Sequence, residues 1–361
     1  MGPFDGAMLS ATVLLTTPLL LAAIGELYSE RAGVLNVGLE GMVLMGAFGG
    51  YWGLWWTGNL WLGMVAGAAA GAALAAVMGL LSVTARADQI VVGVGLNLLA
   101  IGVTTFSFRK VFGDRGEIVL HRMGTAEIPL LSKLPTIGKA LFSQTPATYL
   151  AWVVVALTWF ILYRTTWGLG LRAVGEVPAA ADTAGINVPV RRYQAVLVTG
   201  VLAGIAGATL SIVQLGLFQE NMSAGRGFLA LAAVIFGRWK PLGIVGACFV
   251  FGGADALQLR LQAEGHVPPE VWFALALVAM AVATWILASS RRRASLRTVG
   301  TLLGLAAAGV ALRIVAPVWA FPAQLWLAMP FVVTLVALSG IAGAAAAPAA
   351  IAIPYRRDRD V

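Results

Sequence analysis

Apolar stretches of about 20 residues recur along most of this chain, and that feature alone decides its fold class. Twenty helical residues rise about 30 Å, the thickness of a bilayer's hydrocarbon. Inside hydrocarbon no water satisfies the backbone, so only helices and closed barrels cross it. A barrel needs alternating segments of about ten residues, and these are absent from the sequence. Of the 361 residues, 60% are hydrophobic and 11% charged, where a soluble domain carries about 25% charged. The expected class is therefore an all-α polytopic membrane protein.

Eleven apolar segments are legible: 8–25, 33–55, 60–83, 89–108, 149–163, 194–217, 227–237, 241–258, 271–288, 299–316 and 325–346. They predict about ten or eleven membrane segments in a single transmembrane domain, 1–361. The seventh is short enough to be a half-helix. The start lacks a basic region and a cleavage site, so the first segment reads as a retained span. Arginines and lysines stand at Arg86, Arg164, Arg172, Arg191, Arg192, Arg238 and Lys240, in "RRRASLR" and in "YRRDRD". Placing them all in the cytoplasm satisfies the positive-inside rule with alternating crossings. Loop 109–148 is then extracytoplasmic, while loop 164–193 and the tail 347–361 are cytoplasmic. The net charge of +8 sits at span ends, which points to lipid headgroups and not to nucleic acid. Cys248 is alone, so no internal disulfide forms.

Two patterns predict close packing. Gly63, Gly67, Gly71, Ala75 and Gly79 recur every four residues, as do Gly200, Gly204 and Ala208. Such ridges let two helix backbones touch. In loop 164–193, "VPAAADTAG" reads as a short helix. Pro178 suits its first position, Ala179 and Ala180 favour it, and Gly185 suits its end. A helix that short is unstable alone and must dock on something. Arg172, Glu176 and Asp182 supply polar handles.

"LRAVGEVPAAADTAGINV" resembles the cytoplasmic coupling segment of ABC-importer permeases in the branched-chain amino acid, ribose and nucleoside superfamily. "GELYSERAGVLNVGLEGMVLMGAF", "RADQIVVGVGLNLLAIG" and "AGRGFLALAAVIFGRWKPLG" look like the nucleoside-importer permeases within it. The resemblance covers roughly residues 12–262 and resumes at "QLWLAMPFVVTLVAL". It implies the ABC-importer permease fold, nucleoside translocation across a bacterial cytoplasmic membrane, and three partners. These are a second, related permease, a cytoplasmic ATPase seated on Arg172, Glu176, Pro178, Ala179, Ala180, Asp182 and Gly185, and an extracytoplasmic substrate-binding lipoprotein. The chain has no GxxxxGK[ST] loop. ATP and magnesium would be used by the ATPase, and this chain would bind no cofactor and would be no enzyme. The family passes directly from "ADALQLRLQ" to its last span, whereas here an extra hairpin, 271–316, intervenes.

Polar groups inside spans are functional candidates by default. Glu40 lies among Gly33, Gly38 and Gly41, with Asn36 one turn before it. Glycines beside polar groups are what an interrupted helix at a substrate site requires. Its bland alternative is a carboxylate satisfied by backbone amides freed at the break. Asn97 stands among glycines too, and an interhelical hydrogen bond is its alternative. Gln214, Phe218 and Asn221 in "VQLGLFQENMSAGRG" could stack on and bond a nucleobase, or form a rim for the binding protein. Glu26 reads as a cap or as a partner of Arg31. His121 and His266 are isolated and make no metal site. The competing readings are a ribose or branched-chain amino acid permease, and an ion-coupled carrier using Glu40 and Asp255. The carrier would need no coupling helix.

Overall fold

A computed structural model describes residues 6–113, 118–129, 131–133, 137–264 and 347–356, with isolated helical positions between 300 and 311. The expected hairpin 271–316 and the last span 325–346 lie almost entirely outside these residues. Within them run α1 (Gly6–Arg31), α2 (Leu39–Thr57), α3 (Leu60–Gly79, extended by a π-turn over Leu80–Thr84) and α4 (Gln89–Phe112). Then come α5 (Ile137–Phe142), α6 (Pro146–Arg164), α7 (Thr166–Glu176) and α8 (Pro178–Thr183). The series closes with α9 (Val188–Ala208, extended as a π-helix to Leu215), α10 (Arg226–Phe236) and α11 (Pro241–Glu264). A two-residue antiparallel pairing, Ala126–Glu127 with Ser143–Gln144, ties the loop between α4 and α6. Six helices are long and apolar enough to cross a membrane: α1, α3, α4, α6, α9 and α11. With α2 and α10 they match the first eight predicted segments, so the chain is a multi-pass membrane protein.

Helix starts follow local chemistry. Asn59 accepts from Trp61 N and Leu62 N, and Asp88 from Ile90 N and Val91 N. Thr165 caps α7, and Asn187 caps α9. Each side chain satisfies an amide that lacks an intrahelical partner.

The core is a three-helix contact of α2, α3 and α9, with α1 against α9. The glycine ridges meet there as their spacing predicts. A Cβ on Gly67 would lie 2.7 Å from Ala208 Cβ, and one on Gly50 would lie equally close to the same atom. Gly71 abuts the Gly200 carbonyl, and Gly204 abuts Gly67. At these points backbone lies on backbone, and a methyl group has no room.

Pro18 interrupts α1. Proline has no N–H, so the carbonyl four residues back, on Leu14, loses its helical partner. Gln214 Nε2 donates to that carbonyl at 2.7 Å. Several of the basic residues placed in the cytoplasm make contacts between elements. Tyr193 bonds Thr84, Arg31 reaches the Trp239 carbonyl at 2.6 Å and Arg192 reaches the Ile353 carbonyl at 2.8 Å.

Candidate translocation site and coupling surface

The second segment does not begin as helix at residue 33. α1 stops at Arg31, and α2 starts at Leu39. Between them the chain climbs back into the bundle without helical structure, with Gly33 at φ +82°. The freed backbone groups find named partners. Ser29 Oγ donates to Val34 O at 3.0 Å. Gln89 Oε1 accepts from Leu35 N at 2.8 Å. Glu26 Oε1 accepts from Asn36 N at 3.1 Å. Asn97 serves both sides of the break, donating to Val37 O at 3.0 Å and accepting from Gly41 N at 2.8 Å. Glu26 is thus a cap, while Arg31 turns to Trp239 and lies 3.9 Å from Glu176.

The chain between the sixth and seventh predicted segments is interrupted too. The π-helical extension of α9 ends at Leu215, and 216–225 runs on without helix, with Asn221, Ala224 and Gly225 at positive φ. α10 then begins at Arg226. Glu40 joins the two interruptions. Its Oε1 accepts from Gly225 N at 2.8 Å, and its Oε2 from Gly227 N at 2.6 Å. A Cβ on Gly227 would lie 2.5 Å from Glu40 Cα, so only glycine admits this approach. Glu40 is 7% exposed. It sits in the first turn of α2 and caps the start of α10, so one carboxylate faces the positive ends of two helices. Eleven residues of α10 span about 16 Å, roughly half the thickness of a bilayer's hydrocarbon.

Asn36, Glu40 and Asn97 are therefore brought together around one junction. Asn36 and Asn97 are buried with Glu40. Gln214, Phe218 and Asn221 are not brought there. Gln214 repairs the Pro18 gap. Phe218, 1% exposed, is enclosed by Phe48, Tyr51 and Phe108 at ring-centroid distances of 5.3, 6.3 and 5.1 Å. The ring has no free face for a base in this conformation. Asn221 is exposed in a left-handed turn, near the Arg109–Glu220 ion pair. Residues that the sequence did not single out complete the junction: Ser29, Gln89, Gly225 and Gly227. Among the described residues no His, Cys, Asp or Glu group could hold a metal.

Loop 164–193 folds into α7 and α8. Pro178 opens α8 and Gly185 follows it at φ +85°, as their chemistry predicts. Leu171, Val174 and Ala181 face inward, and Val177, Ala180, Thr183 and Ala184 face outward. Pro178 and Ala179 are half-buried at its start. Arg172 and Glu176 turn toward their own chain. The Arg172 guanidinium lies 5.1 Å from the Tyr163 ring. Glu176 Oε2 accepts from Ala349 N at 3.3 Å. Asp182 lines a cavity of about 250 Å³ with Arg86, Asn187, Arg192 and Tyr355.

Interrupted spans that meet inside a bundle, with a short helix pair in the loop between α6 and α9, are the build of a membrane permease. The chain belongs to the family of branched-chain amino acid transport system permease components, whose profile matches residues 8–284. That match reaches beyond residue 262 into the first segment of the expected extra hairpin. The chain is thus a transport subunit. It is 45% identical over 265 residues to the putative glucose ABC transporter permease protein TsgC13 of Haloferax volcanii, across 72% of this chain and 79% of that protein. It is 42% identical over 245 residues to the nucleoside ABC transporter permease protein NupC of Lactococcus lactis, across 66% and 77%. It is 38% identical over 257 residues to the guanosine ABC transporter permease protein NupQ of Bacillus subtilis, across 69% and 81%. No solved structure matches the chain.

Proposed function

We infer that this chain is one of two related permease subunits of an ATP-binding-cassette importer that carries nucleosides across a bacterial cytoplasmic membrane. The observation that carries the reading is the Glu40 junction, where two interrupted spans meet around one buried carboxylate. Such a site suits a neutral, hydroxyl-rich and N–H-rich solute. Sugar hydroxyls and base edges can exchange hydrogen bonds with Glu40, Asn36 and Asn97 once the junction opens. Two relatives named for nucleoside or guanosine transport support the substrate class.

A cytoplasmic ATPase docks on the outward face of α8, and an extracytoplasmic binding protein delivers the substrate. ATP and magnesium belong to the ATPase, and this chain holds no cofactor. The second permease covers α4, whose outward face carries Val91, Val94, Leu98 and Phe106 and leaves Gly95 and Gly102 open. Closure of the ATPase moves α7 and α8 against α1, and the junction follows. A hexose importer is the second reading, favoured by the 45% identity to a protein named for glucose.

Competitive uptake tests both readings. Cells carrying the complete transporter take up labelled uridine and guanosine against unlabelled nucleosides, glucose, ribose and leucine. Inhibition by nucleosides alone is expected, and competition by glucose would transfer the assignment to hexoses. Ala180→Trp, placed on the outward face of α8, should abolish uptake while leaving the chain folded. Full uptake by that variant would remove α8 from the ATPase contact.

A further inference from the structure

Segment 347–356 is wedged between the coupling helices and the interruption after α1. Ala350 N donates to Gly175 O at 2.9 Å, at the end of α7. Ala349 N donates to Glu176 Oε2. Arg192 Nη1, at the start of α9, donates to Ile353 O at 2.8 Å. Tyr355 closes a small apolar cluster with Val174 of α7, Ala181 of α8 and Val188 of α9. On its other side the segment meets the re-entrant chain. A Cβ on Gly33 would lie 2.9 Å from Ala350 O. Gly175 in turn abuts the Arg31 carbonyl. Ala350 is 5% exposed and Tyr355 9% exposed, so the segment is built into the end of the bundle.

We propose that residues 347–356 are a positioning strap that transmits displacement of the coupling helices to the re-entrant segment 32–38, and through it to the Glu40 junction. The argument is mechanical. The strap bonds to α7 at Gly175 and Glu176, and to α9 at Arg192. It touches the re-entrant segment at Gly33, only seven residues before Glu40. The last contact is backbone against backbone, with no side chain to absorb a shift. A movement of α7 and α8 therefore reaches residues 32–38 through the strap as well as through the Glu176–Arg31 pair. Closely packed elements of this kind shift as units instead of deforming. The inference rests on the reading of α7 and α8 as the ATPase contact.

The test uses the full reconstituted transporter, with ATP hydrolysis and solute uptake measured on the same proteoliposomes. Removal of 347–361 should lower solute moved per ATP by at least about fivefold, the lower range of ordinary coupling energies, while hydrolysis persists. A synthetic peptide of 347–361 added from the ATPase side should restore the ratio. Tyr355→Ala should lower it as well, and Tyr355→Phe, which keeps the ring, should not. If the truncated chain fails to assemble, the Tyr355 pair decides. An unchanged ratio in the truncated chain or in Tyr355→Ala overturns the strap. A wild-type assembly that moves glucose and not nucleosides overturns the substrate reading instead, and the strap ratio is then read with glucose.

Discussion

Replacing Glu40 with alanine should unseat α10. The carboxylate holds Gly225 N at 2.8 Å and Gly227 N at 2.6 Å, both at the start of that helix. Hydrogen bonds to a charged group contribute about 1.5–3 kcal/mol each, so two are worth about 3–6 kcal/mol. Neutral side-chain bonds between membrane helices average about 0.6 kcal/mol, because the separated state finds other partners. Here one carboxyl group accepts from two amides at once, and the amides belong to a helix start that has no other described acceptor. With about 2.1 cal/mol/K of unfolding entropy per residue, a chain of 361 residues loses about 1.3 °C of Tm per kcal/mol, which places the expected loss at about 4–8 °C. Glu40→Gln keeps one acceptor oxygen and should lose about half as much. The assay is built into the chain. Cys248 is its one cysteine and is fully buried, so a thiol-reactive dye reports unfolding directly. A Glu40→Ala protein melting within about 2 °C of wild type would refute the reasoning, since it would mean that water satisfies both amides.

Gln214→Leu removes the donor to the Leu14 carbonyl and leaves that group unsatisfied beside Pro18. A loss of about 1–3 kcal/mol is expected in the same thiol assay. Gly204→Leu forces α9 away from α3 at Gly67 and Gly71, and should reduce folded yield severely by fluorescence-detected size exclusion. The Arg109–Glu220 pair has side chains 69% and 35% exposed. Arg109→Ala should therefore leave the melting transition in the same thiol assay unchanged, as for other solvated pairs.

Much of this architecture is legible in the sequence. Among the described residues, apolar runs give the spans to within about six residues at either end, because hydrocarbon thickness bounds their length. The glycine ridges of α3 and α9 meet because only small residues allow the contact their spacing invites. Pro178 and Gly185 mark the ends of α8 through their backbone chemistry. The start of α2 is not legible. Val34, Leu35 and Val37 are as apolar as any helical stretch, and hydropathy does not register that they run without helical hydrogen bonds. What permits that conformation is remote: Gln89 is 54 residues away from Leu35 and Asn97 is 60 from Val37. Glu40 is recognisable as an unusual carboxylate beside glycines. Its partners at Gly225 and Gly227 follow only from the tertiary fold. Gln214 shows the same limit. Pro18 announces an orphaned carbonyl at Leu14, but nothing local says which donor answers it. The tail reads as a charged cytoplasmic end, and its seat against Gly175 and Gly33 depends on contacts made far along the chain.

The most direct measurement is photocrosslinking of 4-thiouridine to the wild-type transporter during ATP turnover, with the adducts mapped by mass spectrometry. Label confined to residues 36–41, 93–97 and 222–227, and displaced by excess uridine but not by glucose, is the predicted result. Label absent from all three segments, or displaced by glucose instead, would contradict a nucleoside path through the Glu40 junction.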